Sequence, residues 1–128
     1  MADHPLILLV DDEPEILDLY SFSLQQAGFE VVTASNGEES IKIAGERHPS
    51  LILMDMKMPG MSGVDAFMKL QADPKTKDIK VVFLSAFSDP TNPDIDARAA
   101  HELGAVDYLR KGLSLDEFTQ KVKQYFEK

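Results

Sequence analysis

The sequence predicts an α/β fold in which five strand–helix units form a doubly wound parallel sheet of order 2-1-3-4-5. Two patterns lead to it. Short apolar runs alternate with segments that are apolar at helical period, and strands joined by helices take right-handed crossovers into a parallel sheet with helices on both faces. Three of the runs, Leu6–Val10, Leu51–Met54 and Val81–Leu84, are apolar without alternation, as expected of strands covered on both faces.

The first strand, Leu6–Val10, ends in Asp11-Asp12-Glu13, and Pro14 suits the first turn of the helix that follows. From Glu15 to Ala27, residues Ile16, Leu17, Tyr20, Leu24 and Ala27 form one stripe, and Gly28 supplies a left-handed stop. Glu30–Ala34 is a short second strand. Ser35 with Glu38 predicts a capping box for a second helix, which carries Ile41, Ile43 and Ala44 and ends before Pro49. The third strand, Leu51–Asp55, runs into a loop containing Pro59-Gly60; Val64, Phe67, Met68 and Leu70 then mark a third helix, and Ala72 to Lys80 a polar connection. Val81–Leu84 is the fourth strand, ending at Ser85. Asn92-Pro93 opens a fourth helix with Ile95, Ala99 and Leu103, stopped by Gly104. Val106–Leu109 is the fifth strand. The Ser114–Glu117 capping box opens a fifth helix that buries Leu115, Phe118, Val122, Tyr125 and Phe126. Polar residues such as Glu30 and Asp107 interrupt strands two and five, which suits edges and leaves strands one, three and four in the middle.

These units account for the whole chain, so residues 1–128 are expected to be one domain, of a size that builds a core without disulfides or metals. The 22 acidic against 13 basic residues create a field that repels phosphate backbones and anionic lipid, which argues against direct nucleic-acid binding or membrane insertion. There is no cysteine, and His4, His48 and His101 are scattered, so thiolate chemistry and a Cys-based zinc site are excluded. The apolar run near the start is too short for a signal-peptide core, and a cytoplasmic protein is expected.

In this strand order Asp11 and Asp12 lie beside Asp55 at the carboxyl edge, at the topological switch point where open α/β sheets keep their ligands. Two carboxylates about 4 Å apart repel by roughly 4 kcal/mol at an effective dielectric of 20, so three on one rim call for a cation or raised pKa values. Oxygen ligands with vacant positions suit magnesium. Ser85 and Lys111 bring a hydroxyl and an ammonium group to the same edge, completing a set that suits formation of an aspartyl phosphate on Asp55.

With these motifs, Val10-Asp11-Asp12-Glu13, Met54-Asp55-Met56-Lys57-Met58-Pro59-Gly60-Met61-Ser62-Gly63, Ser85-Ala86 and Gly104-Ala105-Val106-Asp107-Tyr108-Leu109-Arg110-Lys111, the chain resembles the receiver domains of two-component response regulators over essentially its full length. The resemblance implies the flavodoxin-like (βα)5 fold and a signalling switch, not an enzyme, although one that catalyses its own phosphoryl transfer and dephosphorylation. It implies a phosphoryl group passed from a histidine kinase or histidine phosphotransfer protein to Asp55, with magnesium, or manganese in its place, held by Asp12, Asp55 and the Lys57 carbonyl, and by Asp11 through water. Lys111, Ser85 and the backbone N–H groups of Met56 and Ala86 would hold the phosphoryl oxygens. Ser85 and Tyr108 would then switch the surface formed by the fourth helix, fifth strand and fifth helix towards a downstream protein target, the chain being a monomer or a weak phosphorylation-dependent dimer.

Two stretches depart from the family pattern. Gly112 stands where a proline commonly follows the lysine through a cis bond, so the Lys111-Gly112 bond is expected either trans or held cis by packing, with a mobile start to the fifth helix. The connection Phe87 to Pro93 is longer than usual and holds two prolines, which suits a loop that shapes partner choice. Competing readings are weaker. Met54, Met56, Met58 and Met61 invite a copper site but suit packing better. Asp11-Asp12-Glu13 would repel a flavin phosphate. A phosphatase with an aspartate nucleophile needs an acid where Lys57 stands. A pseudo-receiver that binds partners without phosphorylation is the remaining alternative, and Glu13 could cap the first helix instead of touching the site.

Overall fold

The computed structural model describes residues 5–85, 102, 104–111 and 113–126, with Ser85 described by its backbone. The elements are β1 (Leu6–Val10), α1 (Pro14–Gln26), β2 (Glu30–Ala34), α2 (Gly37–Arg47), β3 (Leu51–Asp55), α3 (Gly63–Ala72), β4 (Lys80–Ser85), β5 (Asp107–Arg110) and a C-terminal helix, Leu115–Gln124. The five strands form one parallel sheet in the order β2-β1-β3-β4-β5. The predicted fourth helix, the Phe87 to Pro93 loop, Ala86 and the Lys111-Gly112 bond lie outside the described residues.

The unbroken apolar runs are explained by two cores. Leu8, Val10, Ile52, Met54, Val81 and Phe83 point to one face and pack with Ala44 of α2 and Ala66, Phe67 and Leu70 of α3. Their neighbours Ile7, Leu9, Leu51, Leu53, Val82 and Leu84 point to the other, against Tyr20 and Leu24 of α1 and Phe118 and Val122 of the C-terminal helix. β3 is buried along its whole length, whereas β2 and β5 alternate or open to solvent as edges do.

Several local expectations shift. The cap of α2 is Asn36, not Ser35: its side chain accepts from the Glu39 N–H at 2.8 Å, and the Glu39 carboxylate accepts the Ser35 N–H at 2.7 Å. The cap moves one residue, without a capping box, because the helix begins at Gly37, whose Cα lies against Met61, where a Cβ would come within 3.0 Å of the thioether. Met68 faces solvent, 54% exposed, because Ala66, Phe67 and Leu70 take the buried stripe of α3. β5 starts at Asp107 instead of Val106. The strand admits the acid because the Asp107 carboxylate accepts the Tyr125 hydroxyl at 2.7 Å and the Tyr108 N–H at 2.8 Å. Gly28 stops α1 with φ of 100°, and Ser114 with Glu117 forms the predicted capping box.

Candidate functional site

β1 lies between β2 and β3, so the chain winds away from it in both directions and the ends of β1 and β3 meet at the switch point. Asp11 follows β1 and its N–H continues the ladder to the Ala34 carbonyl at 3.2 Å, which carries its side chain to full burial. Asp55 ends β3 at 4% exposure, and Asp12 stands beside them in solvent. One carboxylate oxygen from each of the three lies within 4.8 Å of the others.

Lys111, one residue past β5, reaches across β4 into this cluster. Its Nζ is 2.7 Å from Asp11 Oδ2, 3.3 Å from Asp55 Oδ2 and 3.4 Å from Glu13 Oε1. Burial opposes the ammonium charge, but the bond to Asp11 and the charges of Asp55 and Asp11 outweigh it and push Lys111 up to about 12. Asp55 fares differently. Burial first, and then the charge of Asp11, push its carboxyl up to about 6, against the pull of Lys111 and of the Lys57 N–H, which donates to Oδ1 at 3.3 Å. The nucleophile candidate therefore sits in a site with more negative charge than one lysine can balance.

That imbalance is the test for a metal. Three carboxylates offer oxygen-only donors, and the exposed side of Asp12 leaves positions for water, which suits a hard divalent cation of the magnesium type. The acidic pocket fits such an ion.

The other expected residues are placed as follows. The Met56 N–H does not face the carboxylate pocket: it donates to the Leu84 carbonyl at 3.0 Å and extends the β3–β4 ladder, so the amide oriented towards Asp55 is that of Lys57. The Ser85 backbone ends β4 opposite Arg110; its side chain, like Ala86, is outside the described residues. Tyr108 sits opposite Phe83, half-buried against the core beneath α2 and α3. Glu13 occupies the cap position of α1 without a side-chain cap and turns its carboxylate to Lys111 instead.

Two contributors were not singled out from sequence. Gly63 donates its N–H to the Met56 carbonyl at 3.0 Å and packs so closely that a Cβ would collide with the Asp55 carbonyl, so glycine lets the loop fold back on the end of β3. Tyr20, read from its spacing as an ordinary core residue, donates its hydroxyl to the Lys111 carbonyl at 2.8 Å. Burial raises its pKa, so it remains a donor.

Residues 7–123 match the family model of the response regulator receiver domain. The chain belongs to that family. Receiver domains of this kind are the regulated modules of two-component systems, and the relatives are named as regulators. The chain is 38% identical over 120 residues to the transcriptional regulatory protein PrrA of Mycobacterium bovis, covering 93% of this chain and 48% of that protein. It is 34% identical over 117 residues to the phosphate regulon transcriptional regulatory protein PhoB of Pseudomonas aeruginosa, covering 91% and 49%. The receiver thus spans about half the length of the curated relatives it matches. Among solved structures, a putative response regulator from Chloroflexus aurantiacus superposes with a TM-score of 0.86 at 28% identity, covering 98% of this chain and 100% of that one. A response regulator from Desulfuromonas acetoxidans gives 0.83 at 27%, covering 95% and 96%. Among the described residues no helix is long and apolar enough to cross a membrane.

Proposed function

We propose that this receiver is a cytoplasmic phosphoacceptor in which Asp55 takes a phosphoryl group from the phosphohistidine of a histidine kinase or histidine phosphotransfer protein. The observation that carries the reading is the lysine shared between Asp11 at 2.7 Å and Asp55 at 3.3 Å within a cluster of three carboxylates. A carboxylate oxygen of Asp55 attacks phosphorus, the phosphorus–nitrogen bond breaks as the phosphorus–oxygen bond forms, and the imidazole leaves with the electron pair and takes up a proton. Asp12, Asp55 and the Lys57 carbonyl would hold magnesium or manganese, with Asp11 acting through water. When bound, the ion neutralises charge on the phosphoryl oxygens.

Lys111 holds the position from which it balances the incoming charge, and freeing it from Asp55 is the natural consequence of converting that carboxylate into an acyl phosphate. The Lys57 N–H, Ser85 hydroxyl and Ala86 N–H complete the phosphoryl cradle in this reading. Ser85 and Tyr108 then relay its presence to the surface of β5, the C-terminal helix and the segment before them, where a downstream protein binds.

The test is incubation with acetyl phosphate or phosphoramidate, with and without magnesium, read by intact mass on the wild type and Asp55→Asn. A magnesium-dependent phosphoryl adduct on the wild type and none on the variant is expected. No adduct on the wild type would replace this reading with that of a pseudo-receiver.

A further inference from the structure

Tyr20 belongs to α1, the helix that starts three residues after Asp11, yet its hydroxyl meets the backbone of Lys111, 91 positions later. The side chain is 2% exposed, and its ring stacks on Phe118 of the C-terminal helix with centroids 4.3 Å apart and planes inclined by 28°. One turn on, Ser23 and Thr119 hydroxyls lie 2.8 Å apart and hold the same two helices in register. A tyrosine has only two side-chain torsions, and here both ends of the ring are held. The lysine it touches is the opposite case: a four-carbon stem with many rotamers, followed by glycine, the residue that restrains a backbone least.

We infer that Tyr20 is a positioning residue for Lys111: by donating to the Lys111 carbonyl it fixes the root of that side chain, and so the place of the ammonium between Asp11 and Asp55. The bond joins the helix that leads out of the acidic cluster to the residue that supplies the cluster's cation. It also acts at the peptide preceding Gly112, so a hydrogen bond supplies a restraint that this chain does not obtain from a proline ring. Small displacements of a group that meets reacting charge have large effects on rate, which gives a single tether at the backbone its leverage.

The consequence for phosphoryl transfer rests on the phosphoacceptor reading, and the experiment separates the two. Tyr20→Phe keeps the ring and its stacking and removes the donor. In the metal-free protein, NMR of the Lys111 ammonium should show faster proton exchange than in the wild type. With phosphoramidate and saturating magnesium, the labelling rate should fall about three- to tenfold, the size expected for one lost hydrogen bond, while magnesium affinity changes by less than about twofold. Tyr125→Phe, which removes a half-buried tyrosine hydroxyl far from Lys111, should alter neither readout. Wild-type exchange and labelling in Tyr20→Phe would overturn the inference, as would a lower melting temperature with both readouts unchanged. The ammonium measurement needs no phosphoryl donor. A wild type that takes up no phosphoryl group therefore sinks the phosphoacceptor reading alone, and the tether is still judged by exchange.

Discussion

The two edges of the sheet use charge in opposite ways. At the amino edge, Asp107 at the start of β5 accepts from the Tyr125 hydroxyl at 2.7 Å and the Tyr108 N–H at 2.8 Å, and Lys80 at the start of β4 donates to the Tyr125 carbonyl at 3.3 Å. Glu30 at the start of β2 lies 3.8 Å from Arg47, both largely in solvent. These groups complete the fold with a neutral hydroxyl and N–H, an acceptor carbonyl or a solvent-exposed ion pair. At the carboxyl edge, Asp11 and Asp55 are buried and share one ammonium with Glu13, beside Asp12. Charge there exceeds what the fold balances, and the excess is what a divalent cation could neutralise. The same sheet therefore has a stabilising edge and a frustrated one.

The comparison is broken most severely by Lys111→Met, which keeps the apolar stem and leaves two buried carboxylates facing each other. Urea unfolding near neutral pH should show a loss of about 3 to 5 kcal/mol, the cost of breaking a buried ion pair from one side. The loss should be smaller at about pH 5, because Asp55 then takes a proton instead of remaining an unpaired anion. In the wild type, Lys111 is raised from 10.5 to about 12, so its own contribution is complete below 10.5 and fades as pH climbs towards about 12. No loss at either pH would mean that the carboxyl edge is not held by this lysine, and equal losses at both would mean that Asp55 does not take up the proton.

Asp55→Asn sharpens the contrast in the other direction, since it removes an anion the fold does not favour. Because the folded-state pKa is raised from 3.8 to about 6, the folded form binds the proton more tightly than the unfolded form. Stability therefore falls as pH rises from 3.8 to about 6 and stays reduced above it. The metal-free variant should exceed the wild type by about 1 to 3 kcal/mol at neutral pH, with the difference vanishing near pH 4. Magnesium should narrow the gap by stabilising the wild type. A variant less stable than the metal-free wild type at neutral pH would contradict the excess-charge account.

Much of this was legible from the sequence, for reasons that differ by element. Strand order followed from Leu6–Val10, Leu51–Met54 and Val81–Leu84, because a run with no polar alternation has to be covered on both sides. The meeting of Asp11, Asp12, Asp55 and Lys111 followed from topology, since each comes at or just past the end of a strand whose place in the sheet was already set. What escaped was geometry carried by single bonds. Ser35 and Asn36 are both good caps, and only the packing of Gly37 on Met61 decides between them. Met56 and Lys57 both offer an N–H after the nucleophile, and the ladder to Leu84 claims the first. Met68 fits a helical stripe as well as Phe67 does, and only the packed structure shows that Ala66, Phe67 and Leu70 take the buried side and leave Met68 in solvent. Tyr20 lies on an apolar stripe, where a hydroxyl aimed at a partner 91 residues away leaves no local mark.

The smallest effect is expected at the amino edge, and it decides whether the two edges are truly independent. Burial, then the bond and charge of Asp107, hold the Tyr125 hydroxyl well above its ordinary range, so it stays a donor throughout physiological pH. Tyr125→Phe removes that donor while Asp107, only half-buried, keeps the Tyr108 N–H and gains access to water. The loss in urea unfolding should be about 1 kcal/mol, the net worth of one hydrogen bond whose acceptor is not stranded. It should also show no inflection at about pH 6, where Asp55 titrates, because the Tyr125 hydroxyl keeps its proton far above that pH. A pH-dependent loss following the Asp55 titration would show that β5 transmits strain from one edge to the other, and the division between a stabilising and a frustrated edge would have to be given up.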